Sequence, residues 1–127
     1  RAAKEFAWRP KASTLRLVIH TTDDTFVQGP TTHNGVQILH NYADSVKALQ
    51  EEQVRVFGFA SKLGGPLEGD DVSAGWFSPV AGSATIPDAT GGGIYQLDDV
   101  MSGKVSLSDA IPAAVKDTQC KPYPTPK

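Results

Sequence analysis

The chain has 127 residues, the length of one domain, and is long enough to bury a real core. Its 39% apolar and 20% charged content suits a soluble globular chain and excludes a disordered one. The net charge of −2, with acids and bases interleaved, lacks the basic field that a phosphate backbone attracts, so nucleic acid is not an expected partner.

No apolar run approaches the roughly 18 residues of a membrane span, so no transmembrane segment is expected. The opening Arg1-Ala-Ala-Lys-Glu5 is charged, lacks the apolar centre of a signal peptide and carries no initiator Met, which points to a trimmed chain. Arg1–Trp8 holds good helix formers but no N-cap, and reads as the tail of a helix that Pro10 ends. Leu15–His20 follows with Leu17, Val18 and Ile19 in succession. Apolar residues on both faces are typical of strands in a parallel sheet. Val27–Asn34 reads as a loop. Val36, Leu39, Tyr42, Ala43, Val46 and Leu49 then recur at helical spacing, which predicts an amphipathic helix of about four turns capped by Thr32 or Asn34.

Val54–Ala60 is a second strand with two apolar faces. Strand, helix and strand make a βαβ unit. Lys62–Gly82 is rich in Gly and Asp and reads as a long functional loop. A short helix fits Ser83–Thr90, limited by Pro87. Gly91-Gly92-Gly93 leads into a third strand, Ile94–Leu97, closed by Asp98 and Asp99. Leu107–Asp117 is a last helix with Leu107, Ile111, Ala114 and Val115 on its inner face, and Pro112 fits it only near the first turn. The domain therefore spans 1–117, and 118–127 is a Pro-rich extended tail or linker. The order predicts an α/β fold with a mostly parallel sheet. Only three strands are visible, so the chain reads as the second half of a larger sheet.

The segments "RLVIHTTDDTF", "YADSVKALQEEQVRVFGFAS", "TGGGIYQLDDVMSG" and "LSDAI" together resemble the C-terminal half of a von Willebrand factor A (vWA) domain, from about Arg1 to Val115. The wording is most similar to bacterial secreted or lipoprotein members, including surface adhesins. The resemblance implies a Rossmann-like, doubly wound sheet with helices on both faces. It also implies a metal-ion-dependent adhesion site at the sheet's carboxyl end, holding Mg²⁺, or Ca²⁺ or Mn²⁺. Thr22-Asp23-Asp24 stands where the family has Thr-Asp-Gly, so Asp23 matches the metal-site residue, while Asp24 departs from the usual Gly. The family's Asp-x-Ser-x-Ser loop occurs nowhere in these residues, so the metal site would be incomplete within this chain. The rest of the vWA domain, from upstream sequence or another chain, is then an implied partner.

The chemistry of the residues leads to the same place by a separate route. Open parallel sheets bind ligands beyond the carboxyl ends of their strands, and hard cations take carboxylate and hydroxyl oxygens. Thr21, Thr22, Asp23 and Asp24 offer these, although aspartates there also serve as turn caps. Thr22 and Asp24 are read as supporting or turn residues around Asp23. Asp70-Asp71 and Asp98-Asp99 read as solvated turns. His33 and His40 lack the further ligands that zinc needs. Gly91-Gly92-Gly93 precedes a strand rather than a helix, so nucleotide binding is not expected. Trp76 and Phe77 are either a buried plug or ligand-contacting anchors. Cys120, the one cysteine, is either an inert thiol or half of a disulfide with a partner outside these residues.

No Gly-x-Ser-x-Gly elbow is present, and no nucleophile is paired with a base, so no enzyme is expected. The leading expectation is an extracellular or cell-surface adhesion module, possible as an outer-membrane lipoprotein, binding a protein or polysaccharide through a divalent cation. The alternatives are an assembly domain with a degenerate metal site and, behind it, a small α/β hydrolase.

Overall fold

A computed structural model describes residues 1–62 and 71–125. Three strands, β1 (Arg16–Thr22), β4 (Val54–Ala60) and β5 (Gly93–Gln96), form a parallel sheet in the order β1-β4-β5. Helices flank it: α1 (Ala2–Glu5), α2 (Tyr42–Glu51), α3 (Ile86–Thr90), α4 (Leu97–Met101) and α5 (Leu107–Gln119). The expected α/β class with a parallel sheet is present.

β4 is the central strand, and each of its residues is buried. Its alternation sends Val56 and Ala60 to one side, where they form the core with Trp76, and Leu49, Ile86 and Ile94 pack around them. Phe59 stacks on Tyr95 of β5 at 4.9 Å. Gly58 leaves a flat place on the strand, since a Cβ there would lie 2.5 Å from the Trp76 ring. β1 is an edge. It was expected to be covered on both faces, yet Ile19 is 42% exposed, and among the described residues no strand pairs with its outer edge. Its base is fixed by the buried Arg16, whose guanidinium donates to the Arg9 and Glu52 carbonyls and pairs with the Glu52 carboxylate at 3.0 Å.

Between β1 and α2 the structure departs from the expected loop and long helix. β2 (Thr31–His33) and β3 (Val36–Ile38) form an antiparallel hairpin. Its turn is Asn34-Gly35, both with positive φ, the pair that such two-residue turns demand. Val36 and Leu39 are 61% and 60% exposed, so neither belongs to the helix face. α2 begins at Tyr42 instead, with Asn41 as its cap. The Asn41 side chain accepts from the Asp44 amide at 2.9 Å, and the Asp44 carboxylate accepts from the Asn41 amide. His33 and His40 therefore share no helix.

α3 begins at its cap Thr85 and accepts Pro87 in its first turn. α5 runs two residues beyond the expected end, straight through Pro112, which lies on the exposed side of the helix. The proline removes a bond to the carbonyl of exposed Ser108, so the loss falls where solvent can serve it. The buried face of α5 is Ala110, Ala114 and Thr118 rather than Leu107, Ile111 and Val115. Only Ala114 is common to both sets: small residues, not the large aliphatic ones, hold the buried positions. After α5 the extended tail folds back over the amino end of β4. Tyr123 donates to the Leu49 and Val54 carbonyls, and the Arg55 side chain lies over its ring while donating to the Lys121 and Gly91 carbonyls.

Candidate functional site

The three parallel strands end side by side, and the segments that follow them are bonded to one another. The Thr22 carbonyl accepts from the Ser61 amide at 3.1 Å. The Ser61 hydroxyl donates into the Asp98 carboxylate at 3.0 and 3.1 Å, and the Lys62 amide reaches the same carboxylate at 3.4 Å. Asp98 is thus a cross-strand tie in the first turn of α4, where a solvated turn was expected. Asp99 beside it pairs with Lys104 at 3.3 Å. Asp71 matches the expected exposed turn, and hydrogen bonds from Ser73 hold its carboxyl below the usual range. Asp70 lies outside the described residues.

Within Thr22-Asp23-Asp24 the roles divide. The Thr22 hydroxyl accepts from the Asp24 amide at 3.2 Å and lies 3.0 Å from the Asp24 carbonyl, to which it donates. One Asp24 oxygen accepts from the Thr25 amide at 2.7 Å. These bonds close the turn. Asp23 is exposed, and among the described residues its carboxylate makes no hydrogen bond or ion pair. Thr22 and Asp24 therefore shape the loop, and Asp23 is the side chain left open to a ligand.

The donor chemistry suits a hard cation in kind: Asp23 supplies a carboxylate, with hydroxyls at Thr22 and Ser61 on the neighbouring strand ends. Among the described residues no three His, Cys, Asp or Glu side chains gather into a metal-binding group.

Beside this rim, between the open face of β1 and the start of α2, lies a cleft of about 330 Å³. Val18, Leu49, Val56 and Ile86 are its apolar lining, and Asp24 is at its rim. Two stacked aromatic pairs stand in its walls: His20 on Trp76 at 5.0 Å, and Phe26 on Tyr42 at 5.5 Å. Trp76 is 7% exposed and lines this cleft. Phe77 is half-buried with the Lys62 ammonium 4.6 Å from its ring. Burial against its neighbours lowers the pKa of His20, which favours the neutral ring in the stack. The Tyr42 hydroxyl donates to the Ala84 carbonyl at 2.8 Å, tying α2 to the loop that carries Trp76.

Sequence reasoning found the Thr22–Asp24 loop but neither the Ser61–Asp98 tie nor the cleft. Both bring together residues from separate segments, and the one local signal, Gly58 in the middle of an apolar strand, marks where another group comes close. Cys120 is exposed and free in the structure. No described helix is long and apolar enough to cross a membrane. Comparison of the chain with protein-family models, with curated proteins and with solved structures finds no match, so the functional reading rests on the residues themselves.

Proposed function

We propose that this chain is the C-terminal half of a vWA-type domain and acts as a binding module rather than an enzyme. It would engage a protein or polysaccharide outside the cell or at its surface, with the rim at Thr22–Asp24 as the ligand-facing edge. The observation that carries this reading is a free, exposed Asp23 at the carboxyl end of a parallel edge strand, in a loop braced by its two neighbours. The open outer side of β1 agrees with a Rossmann-like, doubly wound sheet continued by further strands. A divalent cation, Mg²⁺ or else Ca²⁺ or Mn²⁺, is the group such a rim would share with oxygen ligands from outside residues 1–127. Asp23 would hold it, and Thr22 and Asp24 would keep the loop in place.

Calorimetry on the full-length protein that contains this chain provides the test. Binding of Mg²⁺, Mn²⁺ or Ca²⁺ is expected, with a loss of about tenfold or more in Asp23→Ala, on the scale of a removed charged ligand. No binding of any of the three ions, or unchanged binding in Asp23→Ala, would sink the cation-dependent reading.

A further inference from the structure

The cleft between β1 and α2 has a chemistry of its own, distinct from that of the rim. Its volume of about 330 Å³ lies at the small end of ligand sites, and its floor is aliphatic. Its walls carry the rings of Phe26, Tyr42, His20 and Trp76, whose faces and edges come from two stacked pairs. Among the described residues no lysine or arginine lines it; its titratable lining groups are the Asp24 carboxylate, the Tyr42 phenol and the imidazoles of His20 and His40, and the His40 ring faces the Asp44 carboxylate at 3.9 Å. One oxygen of the Asp24 carboxylate is engaged by the Thr25 amide, and the other has no partner among the described residues. Burial lowers the pKa of His20, which favours its uncharged form.

An anion entering this cleft would meet no lysine or arginine and would be repelled by the Asp24 carboxylate. A hydrophobic neutral molecule would satisfy the floor and leave Asp24 unused. An ammonium group on an apolar body satisfies both: the body fills the aliphatic floor, and the positive charge meets aromatic rings and a carboxylate, the two partners that stabilise organic cations. We propose that the cleft is a binding site for a small organic cation of the alkyl- or arylammonium class. The site needs no metal and does not rest on the reading of Asp23, so either can fail alone.

The test is a titration of the full chain with benzyltrimethylammonium in the presence of EDTA, beside neutral benzyl alcohol and anionic benzoate. Trp76 is the reporter. The chain has two tryptophans, so Trp8→Phe leaves the cleft residue as the single emitter. Saturable change in Trp76 emission is expected with the cation, with benzoate at least about tenfold weaker. Asp24→Asn should weaken the cation about fivefold and leave the alcohol unchanged. Phe26→Leu, which keeps an apolar wall but removes a ring, should also weaken the cation about fivefold. Asp109→Asn removes a charge from the first turn of α5 and should change nothing. Circular dichroism of each variant establishes that it is folded. Equal binding of the three probes, no response to the cation, or a folded Asp24→Asn that binds the cation as before would each overturn the proposal.

Discussion

Thr90 shows how much one hydroxyl does in this fold. It is fully buried, donates to the Ile86 carbonyl at 2.8 Å and accepts from the Val56 amide at 3.1 Å. Val56 lies one residue before β4 meets the start of β5, so no β5 carbonyl is paired with it in the strand register. The short β5 is therefore completed by a side chain from α3. Thr90→Val keeps the volume and orphans a buried N–H, which costs about 1–3 kcal/mol. Thr90→Ser keeps the hydroxyl and should cost less. Urea denaturation of the two variants checks the order, and a larger loss in Thr90→Ser than in Thr90→Val would mean that packing of the methyl outweighs the hydrogen bond here. Gly92 is constrained by the same close approach: a Cβ would lie 1.9 Å from the Val56 carbonyl oxygen. The triple glycine that resembles a phosphate loop in one dimension is here the price of laying β5 tightly beside β4.

At the scale of elements, the start of α2 depends on Asn41. Its side chain and that of Asp44 satisfy each other's backbone amides, and the helix buries Tyr42 and Val46 one turn apart. Asn41→Ala is expected to destabilise the chain by about 1 kcal/mol, while Asn41→Asp keeps an acceptor at the cap and stays near the wild type. A thermal or urea melt reads both, and an Asn41→Ala variant as stable as the wild type would show that tertiary packing alone sets the helix start. The body of this helix was legible in the spacing of Tyr42, Val46 and Leu49. Its beginning was not, because Val36 and Leu39 continue the same spacing by accident while lying on a hairpin and its exit. The Asn34-Gly35 pair carries the overriding signal, since a left-handed pair of residues ends any helix that would cross it. β4 was legible because consecutive apolar residues suit a buried parallel strand, and β1 carries the same pattern although it is a partly exposed edge. The acidic loop after β1 was legible as local composition. The Ser61–Asp98 tie and the aromatic cleft were not, because each is made by segments that only the folded sheet brings together.

For the molecule as a whole, the two ends of the sheet are built differently, and this sets how the chain responds to alkali. At the carboxyl end, among the described residues, Asp23 is exposed and the cleft lies beside it. The amino end is closed by the returning tail, where Tyr123 bridges the Leu49 and Val54 carbonyls beneath Arg55. Tyr42 performs a similar bridging task beside the cleft. Burial pushes the hydroxyls of both tyrosines up from 10.0 to about 12; the charge of Asp88 adds to the rise at Tyr42, and Arg55 partly opposes it at Tyr123. A group whose folded pKa is raised contributes stability that is complete below its unfolded value and is lost as pH climbs through the folded one. The two bridges should therefore hold below pH 10 and fail between pH 10 and about 12. Lys4, raised by its exposed pairs with Glu51 and Glu52, loses its charge in the same direction on the surface, so variants are needed to separate the contributions. Tyr123→Phe removes one titrating bridge: it should be less stable than the wild type at neutral pH yet lose less of its remaining stability on going to the alkaline end. Urea midpoints across the range decide it. If the wild-type midpoint stays level through that window, or Tyr123→Phe falls in parallel with it, the closing of the amino end does not depend on a neutral phenol.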